Sequence, residues 1–134
     1  MKILIAEKSK DLVSALMLII SQIKSTEVEE IGSILNVDKV DSLYKKLKSE
    51  NPDVLIINGG FVNHNTRDIV PVFEELYPEM TILILSTDPR LEEKYSEVGI
   101  ENFILKGNSA KDFYDSMVRF LKKEQGKILR DITS

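Results

Sequence analysis

Short blocks of consecutive apolar residues alternate along this chain with longer stretches in which apolar residues recur every three or four positions. Blocks of the first kind are too brief for helices and suit strands, whereas the second spacing marks one face of a helix. The blocks fall at 3–6, 28–35, 54–57, 82–85 and 102–105, and they are rich in Ile, Val and Leu. The first, third and fourth carry no polar alternation, as expected of strands covered on both faces in a parallel sheet. The second contains Glu29, Glu30 and Gly32 and reads as an edge strand.

The helical stretches have recognisable starts and stops. Ser9 suits the cap of a first helix with Leu12, Leu16, Ile19, Ile20 and Ile23 inward. Asn36 suits the cap of a second, with Val37, Val40, Tyr44 and Leu47 inward and Asn51-Pro52 as its stop. A third runs to about Tyr77, its start left open by Pro71, a residue at ease only in a first turn. Asp88-Pro89 predicts the cap and first position of a fourth, closed by Gly99. Ser109 with Asp112 resembles a capping box opening a fifth, with Phe113, Met117, Phe120 and Leu121 inward.

Five strand–helix units imply right-handed crossovers and a doubly wound α/β fold: a five-stranded parallel sheet with helices on both faces. The common order for such a flavodoxin-like sheet is 2-1-3-4-5, which puts the functional cleft beyond the C-terminal ends of strands one and three. The residues leaving the strands there are Glu7 and Lys8, Asn58 to Gly60, Ser86 to Asp88, and Lys106-Gly107.

Composition narrows the chemistry. The 134 residues suit one domain, and the 43% apolar content forms no run near the ~20 residues needed to cross a bilayer. The N-terminus has no signal-peptide pattern, so a cytoplasmic address is expected. There is no cysteine, which excludes disulfides and thiolate metal sites, and the single His64 cannot build a metal cluster alone. A net charge of −4 has the wrong sign for a domain whose main partner is a nucleic-acid backbone. Lys122, Lys123, Lys127 and Arg130 gather late and suit a helix C-terminus. His64 reads as a solvated loop residue. A cofactor-binding flavodoxin would need a glycine-rich loop after the first strand, yet Glu7-Lys8-Ser9-Lys10-Asp11 has no glycine. Ser86 has no local histidine to serve as its base, so an enzyme is not expected.

The same strand ends resemble the receiver domains of two-component response regulators, over residues 2–124. Ile3-Leu4-Ile5-Ala6-Glu7-Lys8 is similar to the first strand with its acidic pair, and Asp53-Val54-Leu55-Ile56-Ile57-Asn58 to the strand ending in the phosphate-accepting aspartate. Ile82-Leu83-Ile84-Leu85-Ser86 resembles the strand ending in Ser or Thr. Phe103-Ile104-Leu105-Lys106 resembles the last strand, with a switching aromatic three residues before the lysine. In the family the aspartate takes up a phosphoryl group, the acidic pair holds Mg²⁺, and the hydroxyl and lysine grip the phosphoryl oxygens.

Here the resemblance departs at its centre. Asn58 is an amide where a carboxylate nucleophile is needed, and an amide cannot form the acyl phosphate. Lys8 puts an ammonium where a carboxylate should meet a hard cation. Thr87 stands where a smaller residue is common, and Gly107 replaces a frequent proline. The expected site is therefore a degenerate phosphorylation site made of Glu7, Lys8, Asn58, Ser86, Thr87 and Lys106, with Phe103 as a vestigial switch or plain core. Lys8 and Lys106 are expected either to bridge to Glu7, Asn58 and Ser86 or, for Lys8, to face solvent. No cofactor, metal or catalytic residue is expected. The reading is a pseudo-receiver acting in signal transduction or transcription control through protein contacts, with a homodimer as the expected partner. A working phosphorelay receiver is the alternative, and a flavodoxin-like ligand-binding module a third. Residues 125–134 are expected as a tail or the start of a linker. Ile132-Thr133-Ser134 resembles the entry to the helix-turn-helix domain of LuxR-type regulators, so DNA would be met only through a further C-terminal domain outside this sequence.

Overall fold

The structure, a computed structural model, describes residues 1–61, 66–107 and 109–133. Its elements alternate as β1 (Ile3–Ala6), α1 (Lys10–Thr26), β2 (Ile34–Val37), α2 (Val40–Glu50), β3 (Val54–Asn58), α3 (Thr66–Leu76), β4 (Thr81–Ser86), α4 (Leu91–Glu97), β5 (Phe103–Leu105) and α5 (Ala110–Thr133). All strand pairs are parallel, and the sheet order is β2-β1-β3-β4-β5, as the pattern of blocks implies. Among the described residues no helix is long and apolar enough to cross a membrane.

The period-two geometry of a strand sends successive side chains to opposite faces, and two cores result. Leu4, Ala6, Leu55 and Ile57 meet Leu43 and Leu47 of α2, Val70 and Phe73 of α3, and Tyr95 of α4. Ile3, Ile5, Val54 and Ile56 meet Leu16, Ile20 and Ile23 of α1 and Met117, Phe120 and Leu121 of α5. Burial of each large side chain stabilises the fold by about 1.5–3 kcal/mol before entropy is counted.

Several local expectations hold. Ser9 Oγ accepts the Leu12 N–H, and Ser109 Oγ accepts the Asp112 N–H at 3.1 Å, so both serines cap their helices. Asn51 ends α2 in the left-handed region with φ 45°, its N–H donating to the Leu47 carbonyl. Gly99, at φ 87°, turns the chain after α4.

Others are corrected. The second strand is Ile34–Val37 rather than 28–35. Val28 and Ile31 are buried, but as loop residues that fill the core below α1. Asn36 is a strand residue, not a helix cap. Its Nδ2 donates to the Ile5 and Val37 carbonyls at 2.9 and 3.2 Å, which satisfies a polar side chain on an edge strand. The inward stripe of α1 runs through Val13 rather than Leu12, and that of α2 through Leu43 rather than Tyr44. Pro71 lies inside α3, where it gives up one bond to the carbonyl four residues back. Asp88-Pro89 forms a turn ahead of α4, which starts at Leu91, because the Asp88 carboxylate accepts the Arg90 N–H in place of capping a helix. Residues 125–133 prolong α5, a helical form that contradicts neither a tail nor the start of a linker.

Candidate functional site

Sheet register gathers the expected residues at one edge. Ala6 pairs with Ile57, Asn58 with Leu85, and Ser86 with Leu105, so Glu7, Asn58, Ser86 and Lys106 all emerge at the C-terminal ends of β1, β3, β4 and β5. The Gly59 N–H donates to the Leu85 carbonyl at 2.8 Å and the Lys106 N–H to the Ser86 carbonyl at 2.7 Å, which carries the sheet one residue further on each side.

Glu7 is buried, and its Oε1 accepts the Ser9 N–H at 3.1 Å. Asn58 folds back on itself: its Oδ1 accepts the Gly60 N–H at 2.9 Å, closing a turn over Gly59. Ser86 is buried and its Oγ accepts the Asp88 N–H at 3.0 Å. A Cβ at Gly59 would lie 3.5 Å from Ser86 Cβ, an ordinary van der Waals contact, so the β3 turn packs closely against β4. Thr87 is exposed.

The two lysines differ. Lys8 is exposed, and its Nζ lies 5.9 Å from the centroid of the buried Phe61 ring. Among the described residues it forms no ion pair, so it is not the bridge to Glu7 that one expectation offered. Lys106 is partly buried. Burial holds its ammonium below the ordinary lysine value, and the Glu7 carboxylate pulls it partly back up.

The family's Mg²⁺ does not fit this donor set. A hard cation of that kind takes carboxylate oxygens in near-octahedral geometry. Glu7 is the one carboxylate of the expected three, the Asn58 oxygen is bound to Gly60, and Lys8 supplies positive charge. Among the described residues no three acidic or histidine side chains cluster as metal ligands.

Phe103 is partly buried against the core of α2 to α4, with its ring 6.2 Å from that of Tyr95. Tyr95 was not among the expected site residues. It is buried in α4, and its hydroxyl reaches the Gly59 carbonyl at 3.5 Å, so the aromatic pair ties α4 and β5 to the turn after Asn58. The signal was present in sequence: α4 is otherwise polar beyond Leu91, and a lone tyrosine in such a helix is its natural inward residue. His64 lies outside the described residues.

No family model and no curated protein matches the chain by sequence. Solved structures do match by shape. The signal receiver domain of a DNA-binding response regulator from Colwellia psychrerythraea superposes with a TM-score of 0.72 at 13% identity, covering 90% of this chain and 98% of that one. The N-terminal receiver domain of a two-component response regulator from Bacteroides fragilis gives 0.74 at 16%, covering 92% and 95%. A LuxR-family DNA-binding response regulator from Staphylococcus aureus gives 0.68 at 18%, covering 92% and 98%. Together with the sheet order and the clustering of strand ends, these likenesses establish that the chain has the fold of response-regulator receiver domains.

Proposed function

We propose that the chain is a receiver-like regulatory module that signals through protein contacts without phosphoryl transfer at Asn58. The observation that carries this reading is Asn58 itself: a neutral amide at the end of β3, its oxygen turned into its own backbone. Lys8 supports it, because a cation beside Glu7 opposes the metal that phosphoryl transfer requires. On this reading the domain is not an enzyme, works in the cytoplasm, and meets DNA only through another domain.

Its partner is proposed to be a second copy, docked on the face of α4, β5 and α5. Glu92, Glu93 and Glu97 give α4 an acidic side, while Arg119 and Lys123 are exposed on α5. Opposite charges on adjoining helices suit a two-fold pairing, in which each acidic helix meets the other copy's basic one. Lys111 and Lys122 contribute less, being paired at 2.9 Å with Asp115 and Glu27. Sedimentation is expected to show a dimer weakened by Arg119→Glu, and a strict monomer would point to an unlike partner.

The chemical test uses acetyl phosphate and Mg²⁺, for which intact mass should show no phosphoryl adduct. Beryllofluoride with Mg²⁺ should leave the amide NMR spectrum unchanged, since a ligand shifts a conformation only by its differential affinity for the two states. Asn58→Asp alone should still bind Mg²⁺ weakly, whereas Asn58→Asp with Lys8→Asp should bind it measurably. An adduct at residues 58–60 of the native chain, or shifts spreading from Asn58 to Ser86 and Phe103, would replace this reading with a working phosphorelay receiver.

A further inference from the structure

A groove of about 330 Å³ runs between α1 and α5, with Leu12, Ala15 and Ile19 on one wall, Ala110 and Phe113 on the other, and Lys106 among its lining. Its size is at the lower end of the range for small-molecule sites, roughly 300–1,000 Å³. Leu12, beside the inward-facing Val13 of α1, remains 40% exposed over this opening. Lys106 is partly buried, and among the described residues its ammonium has neither an ion pair nor a hydrogen bond. Glu7, the carboxylate whose charge it feels, is instead engaged by the Ser9 N–H. A partly desolvated cation that Glu7 offsets only in part is costly, and an anion brought by a ligand in direct contact offsets more of that cost.

We propose that this groove binds a small amphipathic monocarboxylate, its apolar tail between α1 and α5 and its carboxylate on Lys106. The walls set the class. Among the described residues Lys106 is the one charged side chain in the lining, so the site suits a single negative charge better than a phosphate ester, which needs several donors. The other lining side chains are apolar, which selects a tail of hydrocarbon rather than a sugar or peptide. The inference does not depend on the chemistry at Asn58, so the phosphodonor experiments leave it untouched.

The probe is sodium octanoate, titrated into the intact protein and followed by amide and methyl NMR. Saturable shifts are expected at Leu12, Ile19, Ala110 and Phe113, with a Kd on the order of 1 mM for so small a ligand. 1-Octanol, which has the tail without the charge, should bind at least about tenfold more weakly. Lys106→Met should bring octanoate down to the affinity of octanol without changing octanol, and Ala15→Trp, which fills the groove from the surface of α1, should abolish both. Each variant's own amide spectrum verifies its fold. Equal affinity for octanoate and octanol, shifts elsewhere, or no saturation by ~10 mM would overturn the proposal. A concentration-dependent dimer that Ala15→Trp dissolves would assign the groove to a second copy and overturn it equally.

Discussion

Lys106 and Lys8 show how one residue type takes two roles according to burial. For Lys106, burial lowers the folded pKa below its unfolded value, with Glu7 opposing in part. Between those two values the unfolded chain holds the proton more often, so stability rises with pH there. Below the folded value the cost of a buried charge is fully present, and above about 10.5, the ordinary lysine value, it is gone. Lys106→Met, which keeps the stem and removes the charge, is therefore expected to raise Tm at pH 7 by roughly 2–4 °C. The gain should shrink as pH climbs into the lysine range, and a gain independent of pH would place its origin elsewhere. Lys8 is exposed, and its ammonium lies over the Phe61 ring. Lys8→Ala should move Tm by less than about 3 °C, and a larger drop in a thermal melt would reveal an interaction with Glu7.

Among the elements, two glycines make opposite tests. Gly126 sits within α5, and a methyl group there would come no closer than 3.7 Å, to Arg130 Nη1. Gly126→Ala should stabilise the protein by about 0.5–1 kcal/mol through backbone entropy alone. Gly99 has open space around it but a φ of 87°, so Gly99→Ala should cost about 1 kcal/mol from strain without any clash. Denaturant midpoints of the two variants should move in opposite directions. The elements were legible where one physical term dominated. β1, β3 and β4 are buried on both faces and so announced themselves as unbroken apolar runs. Ser9 and Ser109 announced their helices because a capping hydroxyl has few other uses at that spacing. β2 was misplaced because Val28 and Ile31 are apolar for a different reason, as loop plugs, while Asn36 looks like a cap until its amide is seen bridging strand carbonyls. Tyr44 and Leu12 were misassigned because periodicity gives a face to within a residue or so, and their neighbours Leu43 and Val13 took the inward place. Asn58, Glu7 and Ser86 were legible from where their strands end. Tyr95 is less legible because it lies in α4, away from the strand ends where the other site residues emerge.

At the scale of the molecule, α5 acts as a brace along the N-terminal end of the sheet. Glu124 is buried and accepts the Thr81 hydroxyl at 2.8 Å, Lys127 Nζ donates to the same hydroxyl, and Gln125 accepts the Glu30 N–H at 3.2 Å. These contacts join the last helix to β4 and to the loop after α1. A chain ending at Glu124 retains both cores and should fold cooperatively, but it loses the contacts of Gln125 and Lys127. Its Tm is expected to fall by about 5 °C, which calorimetry can read directly. An unchanged Tm would mean that the last turns of α5 add nothing to the domain.

The hydrogen bond from the Gly59 nitrogen to the Leu85 carbonyl also governs how the protein ages. An asparagine before a glycine deamidates when the following backbone nitrogen attacks the side-chain carbonyl carbon and expels the amide nitrogen as ammonia, leaving a succinimide that water then opens to aspartate or isoaspartate. In the fold that nitrogen is committed to β4, and the side-chain oxygen is committed to Gly60, so the ring cannot close until the turn comes loose. Intact protein should therefore keep its amide at position 58 over storage, while repeatedly melted protein accumulates the acid. Peptide mapping of the two samples would turn that single residue into a clock that counts time spent unfolded.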